Sequence, residues 1–458
     1  MNILFGTDGI RGRANTYPVT PENALLVGKA VANFFTSHRQ ANGHKPCAII
    51  GKDTRLSGYM LENAISAGLL SMGMDVLSVG PMPTPAVAHL VKSFAAECGI
   101  MITASHNPAS DNGIKIFDRH GFKLSDDVCE KLEDMIFDEK LSSSHIANDF
   151  IGKARRIDDA RGRYIEFAKA AISNRPLTGM KMVLDCANGA AYSIAPAIFR
   201  ELGAEVIVHA AAPDGTNINE SCGAVHPETM CALVREYHAD LGVALDGDAD
   251  RVIFSDARGE VVDGDRIIGM IALAQHQQNT LAGKQIVVTA MSNLALHRAM
   301  KDAGIGVITT DVGDHLVIEA MRKHNCSIGG EQSGHIIFMD HVTTGDGIIT
   351  ALNIMKLMLD TKQPLHELAG FMTPYPQKMI NIPVSGSKPP LENLTTLTRE
   401  LQNFRRTTGE TGRAIVRYSG TENKLRILVE AQEKAVLEKW SQVLTAAAET
   451  DLENNRCS

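Results

Sequence analysis

A strand–helix–glycine–strand pattern occurs three times in this 458-residue chain, and it limits the possible folds more than any other feature. In each copy a β-branched run predicts a buried strand, a helical pattern follows, and a glycine ends the helix before a second strand. These elements are predicted at 47–51, 61–72, Gly73 and 75–79; at 182–185, 193–202, Gly203 and 205–209; and at 285–289, 294–303, Gly304 and 306–310. Because strands that alternate with helices favour sheets covered by helices, the sequence predicts three similar α/β domains with mixed sheets.

The last part of the chain follows a different order of elements. It is predicted to form a strand at 378–384, a helix at 391–404, strands at 413–418 and 424–430, a helix at 431–448 and a frayed tail at 451–458. This order predicts a smaller C-terminal α+β domain. The four domains are expected at 1–155, 156–256, 257–370 and 371–458. Ligands bind beyond the carboxyl ends of strands in open α/β sheets, so the three α/β domains could face one shared cleft.

Composition and charge exclude several classes of protein. Hydrophobic residues make up 44% and charged residues 21% of the chain, which excludes wholesale disorder. The net charge of −8 argues against a nucleic-acid partner. The 8 cysteines form no C-x-x-C pair, so they are interpreted as reduced thiols rather than as a zinc site or a disulfide framework. The sequence contains neither a secretion signal nor a long apolar stretch, so a cytoplasmic location without membrane contact is expected.

An acidic loop at 246–251 is the strongest candidate metal site. Asp246, Asp248 and Asp250 place three carboxylates at alternate positions beside a glycine. Hard oxygen ligands on one short loop are what Mg²⁺ requires. An EF-hand is excluded because Arg251 and Ala257 stand where that loop needs glycine and glutamate. The alternative is a solvated acidic turn.

A serine loop at 103–111 is the candidate nucleophile site. Ser105 follows a β-type run and precedes His106 and an Asn-Pro pair. A serine in this position could act as a nucleophile or carry a phosphate, and it could equally be a turn-forming or capping residue. Lys115 alternates like an outward-facing strand residue, so its simplest interpretation is a solvated lysine.

Further polar loops carry groups suited to phosphate or sugar. The segment 417–422 and Arg426 offer arginine forks, hydroxyls and exposed backbone, which grip phosphate dianions, although a polar hairpin turn is the alternative. Arg413, Arg417, Lys424 and Arg426 concentrate four cations there in an otherwise acidic chain. The segment 330–335 offers a carboxylate, a hydroxyl and an imidazole for sugar hydroxyls, or it is a plain tight turn. Arg11, between glycines, could approach a phosphate closely.

The chain resembles the α-D-phosphohexomutases along essentially its whole length. The resemblance is carried by FGTDGIR at 5–11, TASHNP at 103–108, DNGIK at 111–115, DGDADR at 246–251, GEQSGH at 330–335, TTGDG at 343–347 and RYSGT at 417–421. In this order and combination the motifs are highly specific for that superfamily. Three positions depart from the usual pattern: Ala249 replaces a frequent glycine, Asn423 a frequent proline and His315 a frequent arginine.

The resemblance implies a set of site residues. Ser105 would carry a phosphate in the active enzyme, and one Mg²⁺ would be held by that phosphate and by Asp246, Asp248 and Asp250. Catalytic assistance is expected from His106, Lys115, Arg251 and His335. Substrate contacts are expected from Arg11, Glu331, Ser333, Arg417, Ser419, Gly420, Thr421 and Arg426.

The resemblance also implies that the four domains surround a central cleft, and it implies a reaction. The expected activity is an intramolecular phosphotransfer that interconverts glucosamine 6-phosphate and glucosamine 1-phosphate, with a hexose bisphosphate as intermediate and activator, in supply of UDP-N-acetylglucosamine synthesis. The expected partner is a hexosamine phosphate, and a homodimer is the expected assembly. The alternatives are a phosphoglucomutase or phosphomannomutase, a catalytically silent phosphosugar-binding protein, and a Mg²⁺-dependent phosphatase. The separate clamp for a second phosphate argues against the phosphatase.

Overall fold

The computed structural model describes residues 4–6, 8–37, 45–385, 388–419 and 423–454. These residues form two compact units. The first unit comprises Met1–Met291 and Ala303–Phe371, and the second comprises Ser292–Asp302 and Met372–Ser458. Among the described residues, no helix has both the length and the apolar character needed to cross a membrane. The seven described cysteines are free thiols, as the absence of paired spacing predicts, and Cys457 lies outside the described residues.

The first α/β region of the first unit contains a six-stranded mixed sheet. Its elements are β1 (Ile10–Arg13), α1 (Pro21–Ser37), β2 (Cys47–Lys52), α2 (Ser57–Ser71), β3 (Asp75–Pro81), α3 (Thr84–Ser93), β4 (Cys98–Ile102), β5 (Asp111–Asp118), α4 (Asp126–Phe137), α5 (Glu139–Ser143) and β6 (Ala154–Arg156). The strand order is β1-β5-β4-β2-β3-β6. Strands β4, β2, β3 and β6 run parallel, whereas β5 is antiparallel to both β4 and β1. The core packs α1, α2 and α4 against this sheet.

The second α/β region repeats this arrangement with five strands. Its elements are α6 (Ala160–Ala170), β7 (Lys181–Asp185), α7 (Ile194–Glu201), β8 (Glu205–His209), α8 (Glu228–Tyr237), β9 (Leu241–Leu245), β10 (Val252–Asp256) and β11 (Val261–Val262). The strand order is β11-β10-β9-β7-β8. Strands β9, β7 and β8 are parallel, and the hairpin partner β10 is antiparallel to β9.

The third α/β region has four strands. Its elements are α9 (Gly264–Gln277), β12 (Gln285–Thr289), α10 (Leu294–Asp302), β13 (Gly306–Thr310), α11 (Asp314–His324), β14 (Ile328–Gly330), β15 (Ile336–Phe338), α12 (Gly347–Thr361) and α13 (Leu365–Leu368). The strand order is β13-β12-β14-β15, parallel except for the last pair. Helix α10 belongs to the second unit by its contacts.

The second unit is built on a three-stranded antiparallel sheet. Its elements after α10 are β16 (Gln377–Pro383), α14 (Thr395–Thr408), β17 (Gly412–Tyr418), β18 (Lys424–Ala431) and α15 (Lys434–Asn454), with strand order β16-β18-β17. The predicted α+β domain is therefore confirmed. The predicted frayed tail is wrong for residues 451–454, which continue α15. Leu452 is buried in the core, and Asp451 Oδ2 accepts a hydrogen bond from the Leu397 backbone N–H at 2.8 Å. Residues 455–458 lie outside the described residues.

The prediction of three α/β regions with mixed sheets is confirmed in detail. The glycines expected to end the helices, Gly73, Gly203 and Gly304, all adopt left-handed backbone conformations, with φ of 84°, 92° and 73°. In each region one parallel strand turns into an antiparallel partner: β4 into β5, β9 into β10, and β14 into β15. The loops after β4, β9 and β14 carry Ser105, the three aspartates and Glu331, respectively. These three loops thus occupy equivalent positions in the three regions.

Candidate active site

Ser105 and the acidic loop come from different α/β regions and meet directly. The Ser105 hydroxyl is buried and donates a hydrogen bond to Asp246 Oδ2 at 2.7 Å. Gly247 allows this approach, because a Cβ at that position would lie 2.5 Å from the Ser105 carbonyl oxygen. The structure therefore brings together the two motifs that the sequence separates by 141 residues.

The three aspartates form a cluster that fits a cation. One carboxylate oxygen from each of Asp246, Asp248 and Asp250 lies within 4.8 Å of the others, and all three residues are buried. Among the described residues, Asp248 Oδ1 and Asp250 Oδ1 are buried without a hydrogen-bond partner. Buried carboxylate oxygens without donors are costly unless a positive ion satisfies them. The donor set of hard oxygens suits Mg²⁺.

Lys115 is buried against the same cluster. Its Nζ lies 2.9 Å from both Asp248 Oδ2 and Asp250 Oδ2, and 3.4 Å from Asp8 Oδ2. Burial disfavours the lysine charge, but these carboxylates outweigh it and raise the pKa of Lys115 well above its ordinary value. The interpretation of Lys115 as a solvated strand residue is wrong, because the outward side of β5 is covered by the acidic loop.

The carboxyl groups of the acidic loop differ in their proton affinity. Burial, followed by repulsion from Asp250 and Asp248, raises the pKa of Asp246 well above its ordinary value. Burial also disfavours ionised Asp250, but Lys115 and His335 lower its pKa well below the ordinary value. A further cation at the cluster would favour the ionised form of Asp246 for the same electrostatic reason.

Thr84 is a site residue that the sequence analysis missed. Its buried hydroxyl donates to Asp248 Oδ2 at 2.6 Å, and its backbone N–H donates to the Asp248 carbonyl oxygen at 2.9 Å. Thr84 begins α3, just beyond the end of β3, so it holds the acidic loop from the first α/β region. Its position after a strand end is the signal that could have identified it.

Arg11 and Arg251 bring two guanidinium groups towards the acidic loop. Arg11 forms an ion pair with Asp8, and the backbone N–H of Arg251 donates to Asp246 Oδ1 at 3.2 Å. Burial lowers and nearby carboxylates raise the pKa of each arginine, with a net rise for both. In the described part of the chain, the Nε atoms of both are buried without a partner. Buried guanidinium N–H groups without a hydrogen-bond partner are suited to bind an anion.

The two candidate catalytic histidines have different surroundings. His106 Nδ1 lies 3.4 Å from the Ser105 hydroxyl, and burial, helped by Arg251 and Arg11, lowers the pKa of His106 to about 4. His335 lies with Nδ1 3.7 Å from Asp250 Oδ1, and its Nε2 accepts a hydrogen bond from a backbone N–H at 3.0 Å. Burial lowers the pKa of His335, but Asp250 outweighs this and raises it.

A second lysine, Lys123, links two of the α/β regions beside this site. Its Nζ contacts carboxylate oxygens of both Asp8 and Asp314. Asp314 Oδ2 in turn lies 3.7 Å from His335 Nε2. His315, which stands where the family often has arginine, is partly buried next to Asp314. Lys123 therefore supplies a positive charge to Asp314 from the first region.

The candidate sugar-binding residues Glu331 and Ser333 lie in the loop after β14 and are partly buried and exposed, respectively. Ser333 is exposed and donates its hydroxyl hydrogen bond to Glu331 Oε2 at 2.9 Å. The Glu331 carboxylate also contributes to the raised pKa of Arg251. A partly exposed carboxylate with a neighbouring hydroxyl can receive and donate hydrogen bonds to sugar hydroxyls.

In the second unit, two of the candidate phosphate-binding arginines face each other. Arg417 and Arg426 are register partners across β17 and β18, and Ser419 follows β17 as a buried residue. Gly420 and Thr421 lie outside the described residues. Arg413 differs from the sequence expectation, since its Nε pairs with the fully buried Glu430 at 2.7 Å instead of joining a free cationic cluster.

Family models for all four domains of phosphoglucomutase/phosphomannomutase match the chain. Alpha/beta/alpha domains I, II and III match residues 2–143, 162–259 and 263–375, and the C-terminal domain matches residues 379–447. A phosphoglucosamine mutase from Geobacter sp. (strain M21) is 48% identical over 453 residues, which cover 99% of each chain.

Solved structures with the same fold include two members of this group of enzymes. A phosphoglucomutase/phosphomannomutase family protein from Burkholderia thailandensis matches with a TM-score of 0.80 at 23% identity, over 98% of this chain and 97% of that one. Aspergillus fumigatus N-acetylphosphoglucosamine mutase in complex with GlcNAc-6P and magnesium matches with a TM-score of 0.66 at 16% identity, over 98% and 96%. At these identities the likeness shows the fold.

Proposed function

Because the chain belongs to the phosphoglucomutase/phosphomannomutase family, we propose that it interconverts glucosamine 6-phosphate and glucosamine 1-phosphate through a phosphoserine at Ser105. The observation that carries this proposal is the buried Ser105 hydroxyl, 2.7 Å from one of three clustered aspartates. The amino sugar is favoured by the Geobacter relative, which is named a phosphoglucosamine mutase. The product would supply UDP-N-acetylglucosamine synthesis.

The proposed reaction moves one phosphoryl group in each of two steps. First the bond from phosphorus to Ser105 Oγ breaks while a bond forms to a free sugar hydroxyl oxygen; the proton of that hydroxyl leaves to a base, and Ser105 Oγ takes up a proton. The resulting hexose bisphosphate reorients in the site; the bond from its other phosphorus to the sugar oxygen then breaks while a bond forms to Ser105 Oγ, and the sugar oxygen takes up a proton. In the return step the serine proton has two acceptors within reach: Asp246 Oδ2 at 2.7 Å and His106 Nδ1 at 3.4 Å. His106 is neutral at pH 7, because burial and nearby arginines lower its pKa to about 4.

The buried cations compensate the charge of the moving phosphoryl group. Lys115 keeps its proton, because the surrounding carboxylates raise its pKa, so it acts by charge instead of as a base. Arg251 adds positive charge beside Asp250 and Asp246. His335 Nε2 accepts a backbone hydrogen bond, and its Nδ1 lies 3.7 Å from Asp250 Oδ1. The three aspartates and the phosphate of Ser105 would hold one Mg²⁺, whose chemistry is to neutralise negative charge on the phosphoryl oxygens.

The remaining site residues are assigned to substrate binding. Arg11 offers an Nε without a partner among the described residues for a phosphate, and Glu331 with Ser333 would bind sugar hydroxyls. The phosphate that does not react would be held by Arg417, Ser419, Gly420, Thr421 and Arg426. A separate clamp is needed because either end of the sugar must be held while the other end reacts.

Substrate preference and mechanism can be tested together by ³¹P NMR. The enzyme is incubated with Mg²⁺ and a trace of hexose bisphosphate, in parallel with the 1-phosphates of glucosamine, glucose and mannose. Fastest conversion of the glucosamine compound, abolished in Ser105→Ala, is expected. Faster conversion of glucose or mannose phosphate would replace the substrate and keep the mechanism. Release of inorganic phosphate would indicate a phosphatase, and turnover in Ser105→Ala would contradict the mechanism.

Other features stay predictions. The domain boundaries at 1–155, 156–256, 257–370 and 371–458, a cytoplasmic location and a homodimer belong to this proposal. Size-exclusion chromatography with light scattering tests the dimer directly, because a monomer mass would contradict it.

A further inference from the structure

Arg55 is fully buried beneath the loop that carries Ser105. Its guanidinium group binds four backbone carbonyl oxygens of that loop. It donates hydrogen bonds to the carbonyl oxygens of Ser105 at 3.0 Å, Asn107 at 2.8 Å, Pro108, and Asp111 at 3.0 Å, and through Nε to Asp53 Oδ2 at 2.8 Å. A guanidinium group has five N–H donors, so each one is used. Four of the five bind the backbone of one short loop.

Asn219 binds the same loop from the second α/β region. Its side-chain amide donates to the Ser105 carbonyl oxygen at 2.9 Å and to the Asn107 carbonyl oxygen at 3.1 Å. Each of these two carbonyls therefore accepts one hydrogen bond from Arg55 and one from Asn219. The orientation of the amide follows from its contacts, since two carbonyl acceptors require its NH₂ group. Each of the two carbonyls is thus bound by donors from two different regions of the fold.

The backbone N–H of Ser105 is tied to the same group of residues. It donates to Thr103 Oγ1 at 2.9 Å, and the Thr103 hydroxyl donates to Asp53 Oδ2 at 2.7 Å. Asp53 Oδ2 also accepts from Arg55 Nε. The N–H and C=O groups of Ser105 thus end on one connected set of buried side chains.

Ser105 needs such support because its backbone is strained. Its φ of 52° lies in the left-handed region, which costs a residue with a Cβ about 1–2 kcal/mol. The conformation places the hydroxyl at Asp246, whereas relaxation of φ would rotate it away. A displacement of about 1 Å in a reacting group can lower a rate about 100-fold.

We infer that Arg55 and Asn219 are positioning residues, which together hold Ser105 in its left-handed conformation so that its Oγ stays at the acidic loop during both phosphoryl transfers. Neither residue has a hydrogen bond to the three aspartates among the described contacts, so they act through Ser105. The inference deepens the proposed function and rests on the phosphoserine role of Ser105.

Two variants and two matched controls test the inference. Asn219→Asp replaces two donors by a carboxylate oxygen that faces two carbonyl oxygens, and Arg55→Lys keeps the charge but cannot reach four carbonyls. Asn63→Asp and Arg161→Lys are the controls, because each parent side chain binds one carbonyl oxygen, of Tyr59 and Ser193 respectively, at the exposed surface.

The measurements are kcat and KM for glucosamine 1-phosphate, per mole of folded phosphorylated enzyme, and the ³¹P shift of the phosphoserine. Both test variants are expected to lose about 100-fold in kcat with KM nearly unchanged, and to shift the phosphoserine resonance. The controls should match the parent enzyme. A purely structural role would lower the folded fraction and leave kcat per folded enzyme unchanged, which would overturn the inference.

Failure of the inference and failure of the proposed function are distinguishable. An active parent enzyme, an inactive Ser105→Ala variant and a fully active Asn219→Asp variant would overturn the inference alone. An inactive parent enzyme, or an active Ser105→Ala variant, would overturn the proposed function and the inference with it. If Arg55→Lys does not fold, Asn219→Asp and the milder Asn219→Ser decide: a reduced kcat supports the inference, and an unchanged kcat overturns it.

Discussion

Replacing Lys115 by methionine keeps most of the side-chain volume and removes a buried positive charge from the acidic loop. The lysine is 1% exposed and Asp248 is fully buried, so solvent does not screen their contact at 2.9 Å. Breaking a buried ion pair by removing one partner costs about 3–5 kcal/mol, because an uncompensated charge stays behind. We therefore expect Lys115→Met to lower the free energy of unfolding by about that amount in the absence of divalent cations.

Magnesium should partly reverse this loss. Without Lys115 the three carboxylates repel one another more strongly, so a cation gains more by binding there. A ligand at 100 times its Kd stabilises the folded state by about 2.7 kcal/mol. Differential scanning calorimetry in EDTA and in Mg²⁺, with the exposed Lys131→Met as control, measures both effects. Equal unfolding temperatures of variant and parent in EDTA, or an equal shift on adding Mg²⁺, would refute the reasoning.

Three further predictions concern single contacts. Thr84→Val removes the 2.6 Å hydrogen bond to Asp248, so it should cost about 1–3 kcal/mol and weaken Mg²⁺ binding; calorimetry that finds neither change contradicts the assigned role. Burial and nearby cations lower the pKa of His89 from 6.5 to about 4, so the unfolded chain protonates first and stability should fall as the pH drops from 6.5 towards 4. His89→Phe should flatten that fall in urea titrations at pH 7 and pH 5, and an unchanged pH dependence would show that His89 does not cause it. Arg417→Ala should raise KM for glucosamine 1-phosphate more than it lowers kcat, whereas the reverse pattern in steady-state kinetics would exclude a clamp role.

The fold was predictable where local pattern and tertiary structure agree. The strands 205–209, 285–289 and 306–310 occur at their predicted bounds, since β-branched runs between turn residues favour strands. The glycines after the helices adopt the positive φ that this role requires. The frayed tail was predicted wrongly, because the burial of Leu452 depends on a helix that starts more than 50 residues earlier.

The site was predictable to the extent that its residues share short motifs. Ser105, the three aspartates and His335 stand in such motifs, and the structure brings them together. The strand pattern alone did not show that Lys115 is buried, because strand alternation shows which side a residue occupies and does not show what covers that side. Thr84 and Arg55 were missed for a similar reason: Thr84 binds a residue 164 positions away, and Arg55 binds carbonyl groups 50 to 56 positions away. Every residue has a backbone carbonyl group, so the sequence does not show which carbonyl groups a buried side chain binds.

The most direct test of the central claim is a single-turnover transfer from the phosphorylated enzyme. Protein labelled with ³²P at Ser105 is mixed with excess unlabelled glucosamine 1-phosphate and Mg²⁺, quenched at short times, and separated into protein and sugar fractions. The account predicts that the label leaves Ser105 and enters glucosamine bisphosphate and then the monophosphates, at a rate at least equal to kcat. Label that stays on the protein while unlabelled substrate is isomerised would contradict it.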